Sequence, residues 1–374
     1  MRIGIDAHAI GSESAGNETY YEQLLKHLAA VPTNSSRYVV YYTHPAAAAR
    51  LPTSEKFYLK RLWPGTPFWR ILVGLPLEFR RERLDVFHAQ YIIPPLCACK
   101  TVVTIHDIAY EHYPEFFPKL DVLYGKILIR GSADRADHII TVSHYSKNDL
   151  SNTYHIDPDR ITVTYEGAGL DFYPRDKEEC KEQLDRDYGI KSPFVLYVGR
   201  LQERKNLRRL LSAYATVKKR GAEEKLVLVG KQDWMSRNIQ EHVKSLNLED
   251  SVIFAGYVST AALPIFLNAA EAFVYPSIFE GFGLPVIEAM ACGTAVLTSY
   301  GSSLQEVAGD AALLVDPMSE VSIAQGLSNL LDDPTLRSKL GRAGLVRSAL
   351  FSFAKTAEQT IGVYEMLAGT ASRS

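Results

Sequence analysis

Short runs of β-branched and aromatic residues recur along this chain, each followed by a longer stretch with helical spacing, and the whole series occurs twice. In the first half the runs are RIGID, YVVYY, DVFHA, TVVTIH, HIITVS and ITVTY, with helix-like stretches between them such as ETYYEQLLKHLAA and the segment from Lys119 to Ala136. After residue 190 come FVLYVGR, KLVLVGK, VIFAGY, AFVYPS, AVLTSY and ALLVDP. Apolar runs this short read as buried parallel strands. Their alternation with helices predicts an α/β fold of doubly wound sheets, and the repetition predicts two of them. A chain of 374 residues also exceeds the size at which one core keeps growing. The expected division falls between residues 188 and 189. RDYGIKSP, with Gly189 and Pro193, serves as the linker. Two Rossmann-like sheets facing each other leave a cleft, and ligands collect at the carboxyl ends of such strands.

Composition narrows the function by exclusion. A formal net charge of -2 gives no basic surplus for nucleic acid, so any anionic ligand must be held locally. Cys97 and Cys99 are the only cysteines close in sequence, and with no second pair or nearby histidines they make a poor zinc site. Asp6 interrupts the one apolar stretch near the start, which argues against a signal peptide, and no apolar run is long enough to span a bilayer. The expectation is a cytoplasmic protein.

The chemistry concentrates in YPSIFEGFGLPVIEAMACG. An apolar strand is followed by a glycine-bearing turn and a helix-like run from Pro285, a residue well suited to a first helical position. The amides of Phe282, Gly283 and Leu284 would then offer an anion or hydroxyl site at a helix N-terminus. Glu280 precedes that helix and Glu288 lies within it, so they are placed to accept from different groups of one ligand rather than to flank one bond. The alternative is that Glu280 complements the helix dipole and Glu288 is a solvated helix residue. Upstream, YVGRLQERKNL places Arg200 and Lys205 at a strand end, where two cations could neutralise a departing diphosphate without a metal. Glu203 offers Arg204 and Lys205 a local ion pair instead.

Weaker candidates lie in the first half. Gly16 and Asn17 end a glycine- and serine-rich loop ahead of a helix, with no dinucleotide fingerprint of the Gly-x-Gly-x-x-Gly type. His106 closes a strand and is suited to bonding a substrate hydroxyl or to proton transfer, or equally to a satisfied half-buried position. Ser143 closes another strand as a helix cap or a polar contact to ligand. The stretch 56–83 interleaves Lys56, Lys60, Arg61, Arg70, Arg80, Arg81 and Arg83 with Phe57, Trp63, Phe68, Trp69 and Phe79. Such a mixture suits the surface of an anionic membrane, or core aromatics beneath a solvated basic face.

Taken together, FEGFGLPVIEAMACG, GRLQERKN, IHDIAYE and SSLQEVAGDAALLVDP resemble the family-four retaining glycosyltransferases with the two-Rossmann, or GT-B, fold. The similarity runs from GIDAHAIG to the final helix, and it implies that a C-terminal helix at 353–374 returns to join residues 1–188, leaving 189–352 as the second domain. It implies transfer of a hexose from a nucleotide sugar, UDP-glucose or GDP-mannose, to a saccharide hydroxyl, with retention and with no cofactor or metal. Glu280 would hold donor-sugar hydroxyls, Phe282, Gly283 and Leu284 the sugar and phosphate, and Glu288 the ribose. Arg200 and Lys205 would stabilise the leaving diphosphate, His106 would sit beside the donor sugar, and Gly16 would face the phosphates. A lipid-linked oligosaccharide of a surface polysaccharide would suit a protein that docks at the inner membrane face through 56–83. Ala295 and Gln305 stand where the family usually has proline, which bears on the nucleotide end. The competing functions are a nucleotide-sugar epimerase or hydrolase on the same fold, and a non-catalytic nucleotide-sugar binder.

Overall fold

The computed structural model describes residues 1–12, 16–32, 36–231 and 236–371. It divides into two units, Met1–Glu166 with Ser352–Ser374, and Gly167–Phe351.

The first unit carries a parallel seven-stranded sheet: β1 (Arg2–Asp6), β2 (Arg37–Tyr42), β3 (Phe57–Arg61), β4 (Val86–Gln90), β5 (Lys100–Thr104), β6 (His138–Thr141) and β7 (Ile161–Val163), ordered β3-β2-β1-β4-β5-β6-β7. The second carries a parallel six-stranded sheet: β8 (Phe194–Val198), β9 (Lys225–Val229), β10 (Val252–Gly256), β11 (Ala272–Tyr275), β12 (Val296–Ser299) and β13 (Leu313–Val315), ordered β10-β9-β8-β11-β12-β13. Both are α/β doubly wound sheets, and in each the strand order reverses beside the first strand. Outside the carboxyl ends of the two strands at that reversal, β1 and β4 or β8 and β11, helices diverge and leave room for a ligand.

The central strands are buried on both faces, which is why they are predominantly apolar: residues 3–6 of β1 and all of β4, β11 and β12 are buried, with the polar Asp6, His88, Gln90, Thr298 and Ser299 among them. β3 differs. It is an edge strand with sequence FYLKR, in which only Phe57 is buried, stacked on Tyr38 at 4.8 Å between ring centroids. Its charged, half-exposed composition hid it in the basic and aromatic stretch, and an edge strand tolerates that composition because one side lacks a partner.

Two expectations change. The division expected at 188/189 falls at 166/167. The helix Lys177–Tyr188 belongs to the second unit, because the turn before it is tied to the helix Leu263–Ala269: the Arg175 amide donates to Asn268 Oδ1 at 2.7 Å, and Lys177 pairs with Glu271 at 2.8 Å. The stretch 56–83 also divides. Phe57 and Phe79 pack into the core, Phe79 against Phe87, while Trp63, Phe68 and Trp69 are exposed. Arg70 is buried and bonded to Asp6 at 2.5 Å, and Lys60 is held by Glu78 and Glu82 at 2.7 and 2.5 Å. Part of the apparent basic surface is therefore internally neutralised.

The last helix, Phe353–Ala371, belongs to the first unit and packs on the helix Gly16–Ala30. Its Tyr364 hydroxyl lies 2.6 Å from Nδ1 of the buried His88, whose Nε2 is 2.6 Å from Thr104 Oγ1. Burial, with His106 nearby, lowers the His88 pKa to about 3, so the ring is neutral. Among the described residues no helix is long and apolar enough to cross a membrane.

Candidate active site

In the second unit the two segments leaving β8 and β11 meet. After β8 the chain makes a short 3-10 turn, Glu203–Lys205, closed by Asn206 in the left-handed conformation with φ 64°. Asn206 is buried, and its amide nitrogen donates to Pro276 O at 2.9 Å and Pro317 O at 2.5 Å. Ile278 N donates to Arg204 O at 3.1 Å, so the 3-10 turn and the loop after β11 are joined by backbone as well as side chain.

Glu280 is the centre of this junction. Its Oε1 accepts from Lys205 Nζ at 2.5 Å, Ser277 Oγ at 2.6 Å and Tyr275 Oη at 3.0 Å, and its Oε2 accepts from Arg204 at 3.2 Å. Lys205 also donates to Tyr275 Oη at 2.6 Å, so the tyrosine relays between the ammonium and the carboxylate. Burial by itself would raise the Glu280 pKa, but the charges of Lys205 and Arg204 and the bonds from Lys205 and Ser277 outweigh it and hold the group at about 2. Burial and the Glu280 charge push the Tyr275 phenol well above its ordinary range, which keeps it a donor.

The helix that follows, Leu284–Ala291, begins at Gly283, whose φ of 107° suits glycine and whose added Cβ would lie 2.4 Å from Leu304 Cδ2. Leu284, at the first helical position, has no intrahelical acceptor for its amide. Ser303 Oγ fixes the turn by donating to Glu280 O at 2.7 Å and Phe282 O at 3.2 Å. Glu288 is buried within this helix rather than solvated, and its charge helps raise the Cys292 pKa, for which burial is the larger cause. Gln305 is the third residue of the next short helix, Ser303–Ala308, where its side chain accepts from Gly301 N at 3.4 Å.

The structure thus brings Lys205, Glu280, Phe282, Gly283 and Leu284 into one neighbourhood. The cation that accompanies Lys205 at Glu280 is Arg204, whereas Arg200 is exposed. Arg204 and Lys205 bond to Glu280 in place of the local Glu203 pairing. Sequence reading missed Arg204, Tyr275 and Ser277; the usable signal was that Tyr275 ends a buried strand, where a phenol needs a partner.

In the first unit His106 follows β5 and is buried, with its ring edge-on to Tyr20 at 4.7 Å and tilted against Tyr91 at 5.7 Å. Nδ1 lies 3.3 Å from Glu166 Oε1 and Nε2 lies 3.1 Å from Gln90 Nε2. The His106 carbonyl accepts from Ser146 Oγ at 2.9 Å. Ser143 caps the helix His144–Tyr154, its hydroxyl accepting from Ser146 N at 3.0 Å and donating to Ser146 Oγ at 3.0 Å. Gly16 and Asn17 are the first two residues of the helix Gly16–Ala30 rather than the loop before it, and the space around Gly16 is open. Residues 13–15 of that loop lie outside the described residues. Among the described residues no cluster of three or more His, Cys, Asp or Glu could hold a metal ion.

Comparison with known proteins bears on this arrangement. Residues 15–172 match the model of Glycosyltransferase Family 4, and residues 180–347 match Glycosyl transferases group 1. The chain is 34% identical over 283 residues to O-antigen chain mannosyltransferase B of Escherichia coli, covering 75% of this chain and 74% of that protein. It is 31% identical over 265 residues to an N-acetylgalactosaminyltransferase of Campylobacter jejuni named for its N-acetylgalactosamine-N,N'-diacetylbacillosaminyl-diphospho-undecaprenol acceptor, covering 70% and 69%. In fold it is similar to sucrose-phosphate synthase from Thermosynechococcus elongatus, with a TM-score of 0.82, 24% identity, and coverage of 99% of this chain and all of that one.

Proposed function

Because the chain belongs to the family-four glycosyltransferases with the GT-B fold, we propose that it moves a hexose from a nucleotide sugar to a saccharide hydroxyl with retention at the anomeric carbon, in synthesis of O-antigen or a related surface polysaccharide. The observation that carries the reading is the cluster of Lys205, Arg204 and Glu280 outside β8 and β11, the two strands at the reversal of the second sheet. A diphosphate bound there meets two oriented cations, and the charge that develops as it leaves is stabilised without reorganisation. Those cations supply the positive charge a metal would otherwise provide, so the reaction proceeds without one. Glu280 orients Lys205 and Arg204 and presents Oε2 to a donor-sugar hydroxyl; a carboxylate has about four acceptor positions. Gly283 and Leu284 offer amides to the phosphates, and Glu288 accepts from the ribose.

The mannosyltransferase relative favours a mannosyl donor, GDP-mannose, over UDP-glucose. The undecaprenol-linked acceptor of the other relative favours a lipid-linked saccharide. Two exposed segments of the first unit fit an acceptor held at a membrane surface. One carries Trp63, Phe68 and Trp69, and the other carries Leu120, Leu123, Tyr124 and Ile127 beside Lys119, Lys126 and Arg130.

The test is to incubate the purified protein with GDP-mannose or UDP-glucose, with and without a polyprenyl-diphosphate saccharide, with and without EDTA, and to assign the product anomer by NMR. Transfer from GDP-mannose with retention, insensitive to EDTA, is expected. Donor consumption that ignores the acceptor would replace transfer by hydrolysis or epimerisation. Wild-type turnover in both Lys205→Ala and Glu280→Ala would remove the reading. Sedimentation with anionic vesicles should be lost when Trp63, Phe68 and Trp69 are replaced by Ser, and binding unaffected by that change would remove the membrane assignment.

A further inference from the structure

The pairing of His106 with Glu166 is unexplained by the residues assigned so far. Glu166 is the last residue of the first unit and is buried, with 4% of its surface exposed. A buried carboxylate is costly unless paired, and the partner the structure gives it is His106 Nδ1, at 3.3 Å. The two residues reach each other from the carboxyl ends of β5 and β7, across β6. On the other side of the ring, Gln90 presents its amide nitrogen to Nε2 at 3.1 Å. An amide nitrogen only donates, so Nε2 is the acceptor; a carboxylate only accepts, so Nδ1 carries the hydrogen. The edge-on Tyr20 ring, the tilted Tyr91 ring and the Ser146 bond to the His106 carbonyl hold the ring in the same place.

We propose that Glu166 is a positioning residue that fixes His106 as the Nδ1–H tautomer. A substrate hydroxyl exchanging with the Gln90 amide then finds a hydrogen-bond acceptor at Nε2, so His106 works as a neutral acceptor and not as a cation. The inference rests on the reading of His106 as a substrate-contacting residue, and it assigns the part of the dyad that sequence gave no reason to connect, 60 positions away.

The experiment combines nitrogen-15 NMR of histidine-labelled protein with steady-state kinetics of Glu166→Ala and Glu166→Gln. In the wild type the His106 proton is expected on Nδ1. Gln retains an acceptor oxygen and should keep that tautomer, whereas Ala should release it. Turnover in Glu166→Ala should fall about tenfold to a hundredfold, by analogy with loss of the carboxylate that orients a metal-bound histidine, with donor KM within about twofold and most of kcat restored in Glu166→Gln. Because Gln preserves the shape of the side chain, it remains informative where Ala fails to fold. A wild-type proton on Nε2, or wild-type kcat in both variants, would overturn the proposal. Wild-type kcat in His106→Ala would overturn its functional half together with the reading of His106, while the NMR tautomer separately decides whether Glu166 sets the ring.

Discussion

Replacing Glu280 by Gln tests the electrostatic account of the second unit independently of catalysis. The carboxyl is held at about 2 in the folded chain against an ordinary value of 4.5, because Lys205 and Arg204 outweigh the burial that opposes ionisation. At ~1.4 kcal/mol for each tenfold change in proton affinity, that difference contributes about 3 kcal/mol to folding at neutral pH. The sign follows from the depressed pKa: the contribution is present in full above pH 4.5 and is lost as pH falls through 4.5 towards 2. By the same linkage about 1 kcal/mol remains near pH 3. The amide of Gln does not ionise in this range, so the gap between wild type and Glu280→Gln should narrow from about 3 kcal/mol at pH 7 to near zero at pH 2. Other carboxylates titrate in both proteins, and the difference isolates this one. The assay is urea unfolding at a series of pH values, followed by a short hydrogen-exchange pulse at fixed pH and mass spectrometry of peptides covering β11 and β12, which reads the second unit alone. A gap that is the same at pH 7 and pH 3, or no loss at pH 7, would refute the argument that Glu280 is stabilised by its cations.

Three other perturbations follow from the geometry. Gly283→Ala must adopt φ 107° and displace Leu304, and should cost about 1–3 kcal/mol, read as a lower Tm and reduced donor affinity by calorimetry. Asn206→Ala leaves the carbonyls of Pro276 and Pro317 without this donor and places alanine in the left-handed region, for about 2–4 kcal/mol; Asn206→Gly relieves the backbone share, so Gly should be the more stable of the two in urea. Protonation of His88 is opposed in the folded state, so its contribution is complete above pH 6.5 and declines as pH falls through 6.5 towards about 3. Peptides from β4 should show that decline in the wild type and a shallower one in His88→Gln.

The central strands were legible because a strand covered on both faces must be mostly apolar, and such runs stand out against polar loops. β3 was not, since FYLKR at a sheet edge carries charge where a central strand would not. The unit boundary was misplaced for a related reason. Gly189 looks like a linker residue, but with φ 67° it closes the helix Lys177–Tyr188, and what assigns that helix is its contact with residues some 90 positions later. At the site, Glu280 and the glycine turn stand out as one local pattern and Lys205 in another 75 positions earlier, and the structure brings the two segments together. Arg204 was assigned to its neighbour Glu203 because proximity in sequence favours that pairing, and only the 3-10 turn sends it to Glu280 instead. Glu166 and Gln90 are single polar residues separated in sequence from their partner His106, and nothing local marks them. What they share is a place at or just past the end of a buried strand, where a polar side chain is kept only if something across the sheet meets it.

The return of the final helix has a consequence for how the protein is made. The first sheet is complete once β7 leaves the ribosome, yet the helix that covers its helix Gly16–Ala30 and bonds His88 is synthesised only after the entire second unit. During translation the second unit can therefore fold as a contiguous segment while the earlier-made one still waits with an uncovered apolar face and with His88 Nδ1 not yet met by Tyr364. The later-made half is the one able to finish first, and the nascent first unit is the species that exposes apolar surface for longest during synthesis.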